Sequence, residues 1–156
     1  MADHWQCADA TPADLDQIEN LEKASFPNPW RREFFASELR AEGRRNRVLR
    51  SDRAVVAYCF TMFFLDEMHV NKIAVAAQLR RRGLAAVLMD DAIEFAKKKG
   101  IRTIALEVRE SNRDARDFYE SLAFEERYHR PRYYPDGESA IVMVLELPPG
   151  AGPAQT

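Results

Sequence analysis

Cysteine and histidine are scarce in this chain: two cysteines, Cys7 and Cys59, and three histidines in 156 residues. The cysteines lie far apart, with no CxxC spacing and no histidine cluster beside them, which argues against a disulfide framework and a metal site. Cys59 sits within an apolar run and reads as a buried structural thiol. No stretch approaches the roughly 18 apolar residues of a membrane span. The first residues, Met1-Ala2-Asp3-His4-Trp5, lack the basic and apolar regions of a signal peptide. A cytoplasmic protein with no membrane contact is expected. The net charge of −2 gives no global attraction to nucleic acid. The two basic triplets, Arg80-Arg81-Arg82 and Lys97-Lys98-Lys99, fall at opposite ends of one expected helix, so no basic stripe forms and no nucleic-acid partner is expected. There is no GK[ST] phosphate loop, no GxGxxG fingerprint and no internal repeat.

What is present suits one soluble domain over residues 1–147, with 46% hydrophobic and 31% charged residues. The Pro/Gly-rich stretch 148–156 is expected to be a disordered tail. Thr11-Pro12-Ala13-Asp14 has the hydroxyl, proline and acid of a helix start, and Leu15, Ile18 and Leu21 follow at helical spacing. Phe26-Pro27-Asn28-Pro29-Trp30 breaks that helix, and a second is predicted from about Arg31 to Glu42, stopped by Gly43. Strands are predicted over Arg47–Ser51, Ala54–Phe64 and Met68–Ala76, with Asp52-Arg53 as a tight turn. Beyond Gly83 the period becomes helical through Leu84, Leu88, Ala92 and Phe95, ending at Lys99-Gly100. Ile101–Val108 reads as a strand, Ser111–Leu122 as a capped short helix, and Phe124–Tyr128 and Ala140–Leu147 as the last strands. The order β-α-α-β-β-β-α-β-α-β-β fits a mixed α/β sheet with helices on both faces.

Chemistry concentrates in Asn71–Met89, an apolar strand followed by Arg80-Arg81-Arg82-Gly83-Leu84-Ala85 at a helix start. A helix N-terminus presents unpaired amides and partial positive charge. Gly83 would let backbone approach a phosphate closely, with the small Ala85 beside it. Three arginines suit a ligand with several phosphates; an arginine run alone reads rather as a solvated turn, and the strand–Arg-x-x-Gly-x-Ala–helix context reverses that.

Arg80-x-x-Gly83-x-Ala85 resembles the (Gln/Arg)-x-x-Gly-x-(Gly/Ala) motif with which the GNAT superfamily of N-acetyltransferases grips the pyrophosphate of acetyl-CoA. Further matches occur in order: Phe26-Pro27 with Pro29-Trp30, Leu65-Asp66-Glu67, Leu106-Glu107-Val108-Arg109, Ser111-Asn112, Phe118-Tyr119-Glu120-Ser121-Leu122 and Arg132-Tyr133-Tyr134-Pro135. Together they look like the RimI-type family of ribosomal-protein-alanine N-acetyltransferases, over about residues 10–147. Ala85 and Ala123 stand where that branch has glycine, Pro131 interrupts its usual pattern, and Asn28-Pro29 is inserted before Trp30.

The resemblance implies a GNAT fold: a single mixed, mostly antiparallel sheet with a central splay. It implies acetyl-CoA as co-substrate, held by Ile73, Ala74 and Val75 through main-chain pairing, by Arg80, Arg81, Arg82, Gly83, Leu84, Ala85 and Ala86 at the pyrophosphate, and by Asn112. No metal is required. It also implies Glu107 as general base and Tyr119 as general acid. Burial of Glu107 on its strand is expected to raise its pKa; the alternative is an ion pair with Arg109 or Arg102. Tyr119 is alternatively a core aromatic beside Phe118 and Leu122, and Asn112 is equally a helix cap. Arg132, Tyr133 and Tyr134 form a loop that would clamp an acceptor peptide or cover the sheet as an apolar cluster. Glu107, Glu110, Asp136 and Glu138 offer an acidic rim to a basic acceptor. Asp66 and Glu67 read as exposed turn charges, and His69 and His129 as structural. The expected function is acetyl transfer to a protein N-terminus, with a ribosomal protein as partner. The alternatives are a GNAT enzyme acting on lysine side chains or a small amine, and a non-catalytic acyl-CoA-binding module.

Overall fold

A computed structural model describes residues 4–149. The expected tail therefore lies almost wholly outside the described residues. The elements are β1 (Gln6–Asp9), α1 (Leu15–Ser25), α2 (Arg32–Arg40), β2 (Arg44–Ser51), β3 (Ala54–Phe64), β4 (Glu67–Val75), α3 (Leu84–Lys99), β5 (Thr103–Arg109), α4 (Arg113–Ser121), β6 (Glu125–Arg130) and β7 (Ala140–Glu146). Hydrogen-bonded strands follow the order β1-β2-β3-β4-β5-β7-β6. Each pairing with a stated register is antiparallel except β4 with β5, which is parallel through Glu67–Thr103, Met68–Ile104 and His69–Ala105. The nine-residue β4 thus continues past this three-residue ladder, leaving Ile73, Ala74 and Val75 outside it. This is the mixed, mostly antiparallel sheet expected of the fold class. The chain groups into two compact units, one of residues up to Phe63 with Val70–Glu94, the other of Phe64–His69 with the chain from Phe95.

In the first unit, Pro12–Asp14 form a 3-10 turn that leads into α1. The Asp14 carboxylate accepts the Thr11 amide at 2.8 Å and pairs with Arg50 at 2.6 Å. Pro27 holds Phe26 extended (φ −132°, ψ 141°), which ends α1. The helix α2 stops two residues before the expected Glu42. Gly43 (φ +68°) instead turns the chain directly against β3, where an added Cβ would lie 2.8 Å from the Phe63 carbonyl oxygen. The strand β2 therefore starts at Arg44, three residues before the expected Arg47. Its arginines masked a strand whose alternate side chains, Arg45 and Arg47, share Asp91 of α3 at 2.6 and 3.1 Å.

The core of this unit gathers Leu15, Ile18, Phe35, Val48, Tyr58 and Phe60. Phe35 meets Tyr58 and Phe60 edge-on at centroid distances of 5.8 and 5.1 Å. Cys59 is buried as expected, and burial pushes its thiol up to about 12. Among these apolar groups lies Glu22, at 0% exposure. Its carboxylate accepts the Tyr58 hydroxyl, the Trp30 amide at 2.9 Å and the Lys72 ammonium at 3.0 Å. Lys72 also stands over the Phe26 ring at 3.8 Å.

In the second unit, β5 alternates as a half-buried strand should: Ile104, Leu106 and Val108 are buried, while Thr103, Ala105, Glu107 and Arg109 face the partly open side. It pairs with β7 along its full length, Glu107 opposite Val142. Gly100 (φ +86°) ends α3, and the Ile101 amide returns to the Ala96 carbonyl at 2.9 Å.

Truncating Glu22 to alanine should leave Lys72 and Tyr58 without their buried acceptor and cost about 3–5 kcal/mol. Removing the exposed Lys23–Glu19 pair should cost about 1 kcal/mol or less. Urea unfolding of the Glu22→Ala and Lys23→Ala proteins checks both; equal small losses would mean the buried pair carries no such weight.

Candidate active site

The first group of expected site residues lies in the first unit, where β4 runs through a 3-10 turn (Ala77–Leu79) into α3. Ala74 is buried in the core, and Ile73 and Val75 are half-buried. Arg80 folds back, donating from Nε to the Val75 carbonyl at 3.2 Å and from Nη2 to Ser25 at 3.5 Å. It therefore fixes the turn to the strand end. Arg81 and Gly83 both take positive φ, 67° and 82°. A Cβ built on Gly83 meets nothing within 4 Å, so the backbone face there is open and the left-handed conformation is what requires glycine. Leu84 is buried and anchors the first turn, with Ala85 and Ala86 half-buried beside it. The earliest helical bond runs from the Val87 amide to Gly83 at 3.1 Å, so the amides of Leu84, Ala85 and Ala86 precede the intrahelical ladder, as an anion cradle needs. Arg81 and Arg82 are exposed.

The second group lies in the second unit and centres on Glu107, whose side chain is 13% exposed. His69 Nε2 lies 2.9 Å from both carboxylate oxygens. The Tyr133 hydroxyl donates to Oε1 at 3.3 Å. Burial alone would raise the Glu107 pKa, which was the expectation. The hydrogen bonds from His69 and Tyr133, with the charges of His69 and Arg130, outweigh burial and hold it below the ordinary carboxylate value. The expected partners Arg109 and Arg102 are engaged elsewhere, Arg109 with Asp136 and Glu138 at 2.8 Å each and Arg102 with the Leu147 carbonyl at 3.3 Å.

The loop after β6 is ordered by those same contacts. Glu138 accepts the Ser111 amide at 2.8 Å, and its carbonyl accepts the Tyr133 and Tyr134 amides at 3.1 Å each. Arg109 stacks over the Tyr134 ring at 4.2 Å, and the Tyr133 and Tyr134 rings meet edge-on at 5.1 Å. Burial pushes the Tyr134 hydroxyl up to about 12. Arg132 is exposed at positive φ, 51°. Of the expected acidic rim, Asp136 and Glu138 share the one positive charge of Arg109, and Glu110 lies 3.6 Å from His129. The rim is thus less negative than its composition suggested.

Asn112 caps α4 by accepting the Ala115 amide at 3.1 Å. Tyr119 is buried and packs against Phe118 and Phe124 at centroid distances of 5.1 and 5.6 Å. Sequence reasoning missed His69, which it read as structural. The parallel register sets His69 opposite Ala105, two residues from Glu107 on the same strand. That proximity follows from strand pairing and has no signature in linear spacing. Among the described residues, no group of three or more His, Cys, Asp or Glu side chains is placed to hold a metal ion. Among them, too, no helix is long and apolar enough to cross a membrane.

Residues 15–124 match the acetyltransferase (GNAT) family. The chain is 37% identical over 137 residues to the ribosomal protein bS18-alanine N-acetyltransferase of Escherichia coli (strain K12), covering 86% of this chain and 92% of that one. It is 36% identical over 138 residues to the enzyme of the same name from Salmonella typhimurium (strain LT2), with 86% and 92% covered. The crystal structure of the ribosomal-protein-S18-alanine N-acetyltransferase from Escherichia coli superposes with a TM-score of 0.86 at 35% identity, over 92% of this chain and 94% of that one. The chain belongs to the acetyltransferase (GNAT) family and, within it, to the RimI type.

Because the folded pKa of Glu107 is depressed, its stabilising contribution is complete above the unfolded-chain value of ~4.3 and is lost as pH falls through the folded value. Urea-unfolding free energies of wild type and Glu107→Gln should therefore differ most above the unfolded-chain value, and the gap should narrow as pH falls below it. A gap that stays constant as pH falls would contradict the assignment.

Proposed function

We propose that this chain transfers acetyl from acetyl-CoA to the N-terminal α-amine of a protein, with the N-terminal alanine of a small-subunit ribosomal protein as acceptor. The names of the relatives support the acceptor, and the open turn at Gly83 with the amides of Leu84, Ala85 and Ala86 supports a polyphosphate-bearing co-substrate. In this reading Arg80, Arg81 and Arg82 line the phosphates, Ile73, Ala74 and Val75 offer main-chain groups to the pantetheine arm, and Asn112 adds a polar contact beside its capping role. Arg132, Tyr133 and Tyr134 bound the acceptor.

The observation that carries the reading is the Glu107 carboxylate, nearly buried yet held ionised by two donors. A base with a depressed pKa is a poor match for a lysine amine near ~10.4, but an α-amine near ~7.7–8.0 is already partly neutral at pH 7. The neutral nitrogen bonds to the acetyl carbon and becomes cationic. Glu107 then needs only to accept the proton that this nitrogen releases. As the carbon–sulfur bond breaks, Tyr119 gives its phenolic proton to the departing thiolate and recovers one from solvent. An acyl-CoA-binding module would require neither group, and a lysine acetyltransferase would call for a stronger base.

Glu107→Gln and Tyr119→Phe should each lower kcat by roughly 10²-fold while leaving acetyl-CoA affinity nearly intact by calorimetry. The Glu107→Gln loss should shrink as pH rises and more acceptor is neutral; the Tyr119→Phe loss should not. Two folded variants with wild-type kcat at every pH would show that the acid and base are misassigned, and wild type inert toward every amine would favour the binding module.

A further inference from the structure

The Glu107 carboxylate is gripped symmetrically. His69 Nε2 is 2.9 Å from each of its oxygens, so one ring nitrogen sits equidistant from both. The two residues come from adjacent parallel strands, His69 opposite Ala105 and Glu107 two positions on, so the backbone register sets their approach. The side chain of His69 is 34% exposed against 13% for Glu107, so the ring is the more solvent-accessible member of the pair. The other groups acting on Glu107 are the Tyr133 hydroxyl from the loop after β6 and the charge of Arg130 on β6; Val142, opposite on β7, carries none. On β5 itself, Arg109 is neutralised by Asp136 and Glu138. Histidine is the residue type in this set whose ordinary pKa lies near neutral pH.

We propose that His69 is a positioning residue for acetyl transfer, orienting the Glu107 carboxylate when the ring is neutral and suppressing its proton acceptance when the ring is protonated. The inference rests on Glu107 being the base. With a neutral ring, Nε2–H donates to the carboxylate and leaves it able to take a proton from the acceptor nitrogen. With an imidazolium, the full ion pair stabilises the carboxylate in its unprotonated form and weakens it as a base. Turnover should then carry an acid-side loss that belongs to His69, separate from titration of the acceptor amine.

The test measures kcat at saturating acetyl-CoA and alanine-terminated peptide across the pH range, for His69→Ala and His69→Gln, each in wild-type and Glu107→Gln backgrounds. Glutamine keeps an N–H donor but does not titrate. His69→Ala should lower kcat by about tenfold, the cost of a misplaced catalytic group, with the KM for acetyl-CoA within about twofold of wild type. His69→Gln should recover most of kcat and lose the acid-side fall. In the Glu107→Gln background, neither change should cost anything further. Equal losses from His69→Ala in both backgrounds, wild-type kcat in His69→Ala, or an unchanged acid limb in a folded His69→Gln protein would each overturn the proposal. Wild-type kcat in Glu107→Gln alone would instead remove the base assignment on which it stands.

Discussion

An ionised carboxylate that is mostly withdrawn from water must be met by donors, because its desolvation is otherwise prohibitive. Glu107 imposes that condition on the second unit. Its position on an alternating strand points it to the half-buried side of β5, and His69 and Tyr133 supply the donors from a neighbouring strand and a distant loop. The loop in turn is shaped by Arg109, two residues along, through Asp136, Glu138 and the Tyr134 ring. One strand thereby organises both the candidate base and the aromatic loop proposed to receive the acceptor.

The same rule operates in the first unit at Glu22, which has no exposure and three donors. There the result is mechanical. The Trp30 amide and the Lys72 ammonium bind the Phe26–Trp30 segment and β4 to a single carboxylate, and Lys72 lies against the Phe26 ring as well. Lys72 immediately precedes Ile73, so the network steadies the strand segment proposed to meet the pantetheine arm. Arg80, bonded to the Val75 carbonyl, extends the same tether into the Gly83 turn.

Much of this was legible in the sequence because it is local. The stop at Phe26-Pro27, the Asn112 cap and the Gly83 turn are set by residues within a few positions of one another and appear as read, while Thr11–Asp14 opens a 3-10 turn from which α1 continues. The change of hydrophobic period at Gly83 marked where β4 gives way to α3. What escaped was long-range. The start of β2 was hidden because Arg44, Arg45 and Arg47 look like a solvated turn until Asp91, on a helix over 40 residues away, is seen to pair with two of them. The direction of the Glu107 shift was misjudged for the same reason: burial could be read from the strand, but its donors lie 38 and 26 residues away along the chain.

The proposed role of Glu107 carries a selectivity: as the base, a carboxylate held below its ordinary pKa would suit an α-amine better than a lysine. The most direct measurement incubates the purified protein with acetyl-CoA and a peptide that carries both a free N-terminal alanine and an internal lysine, then localises the added acetyl group by mass spectrometry. The account predicts acetyl on the α-amine and little reaction with the same peptide blocked at its N-terminus. Acetylation of the blocked peptide at an equal rate, on lysine, would contradict it.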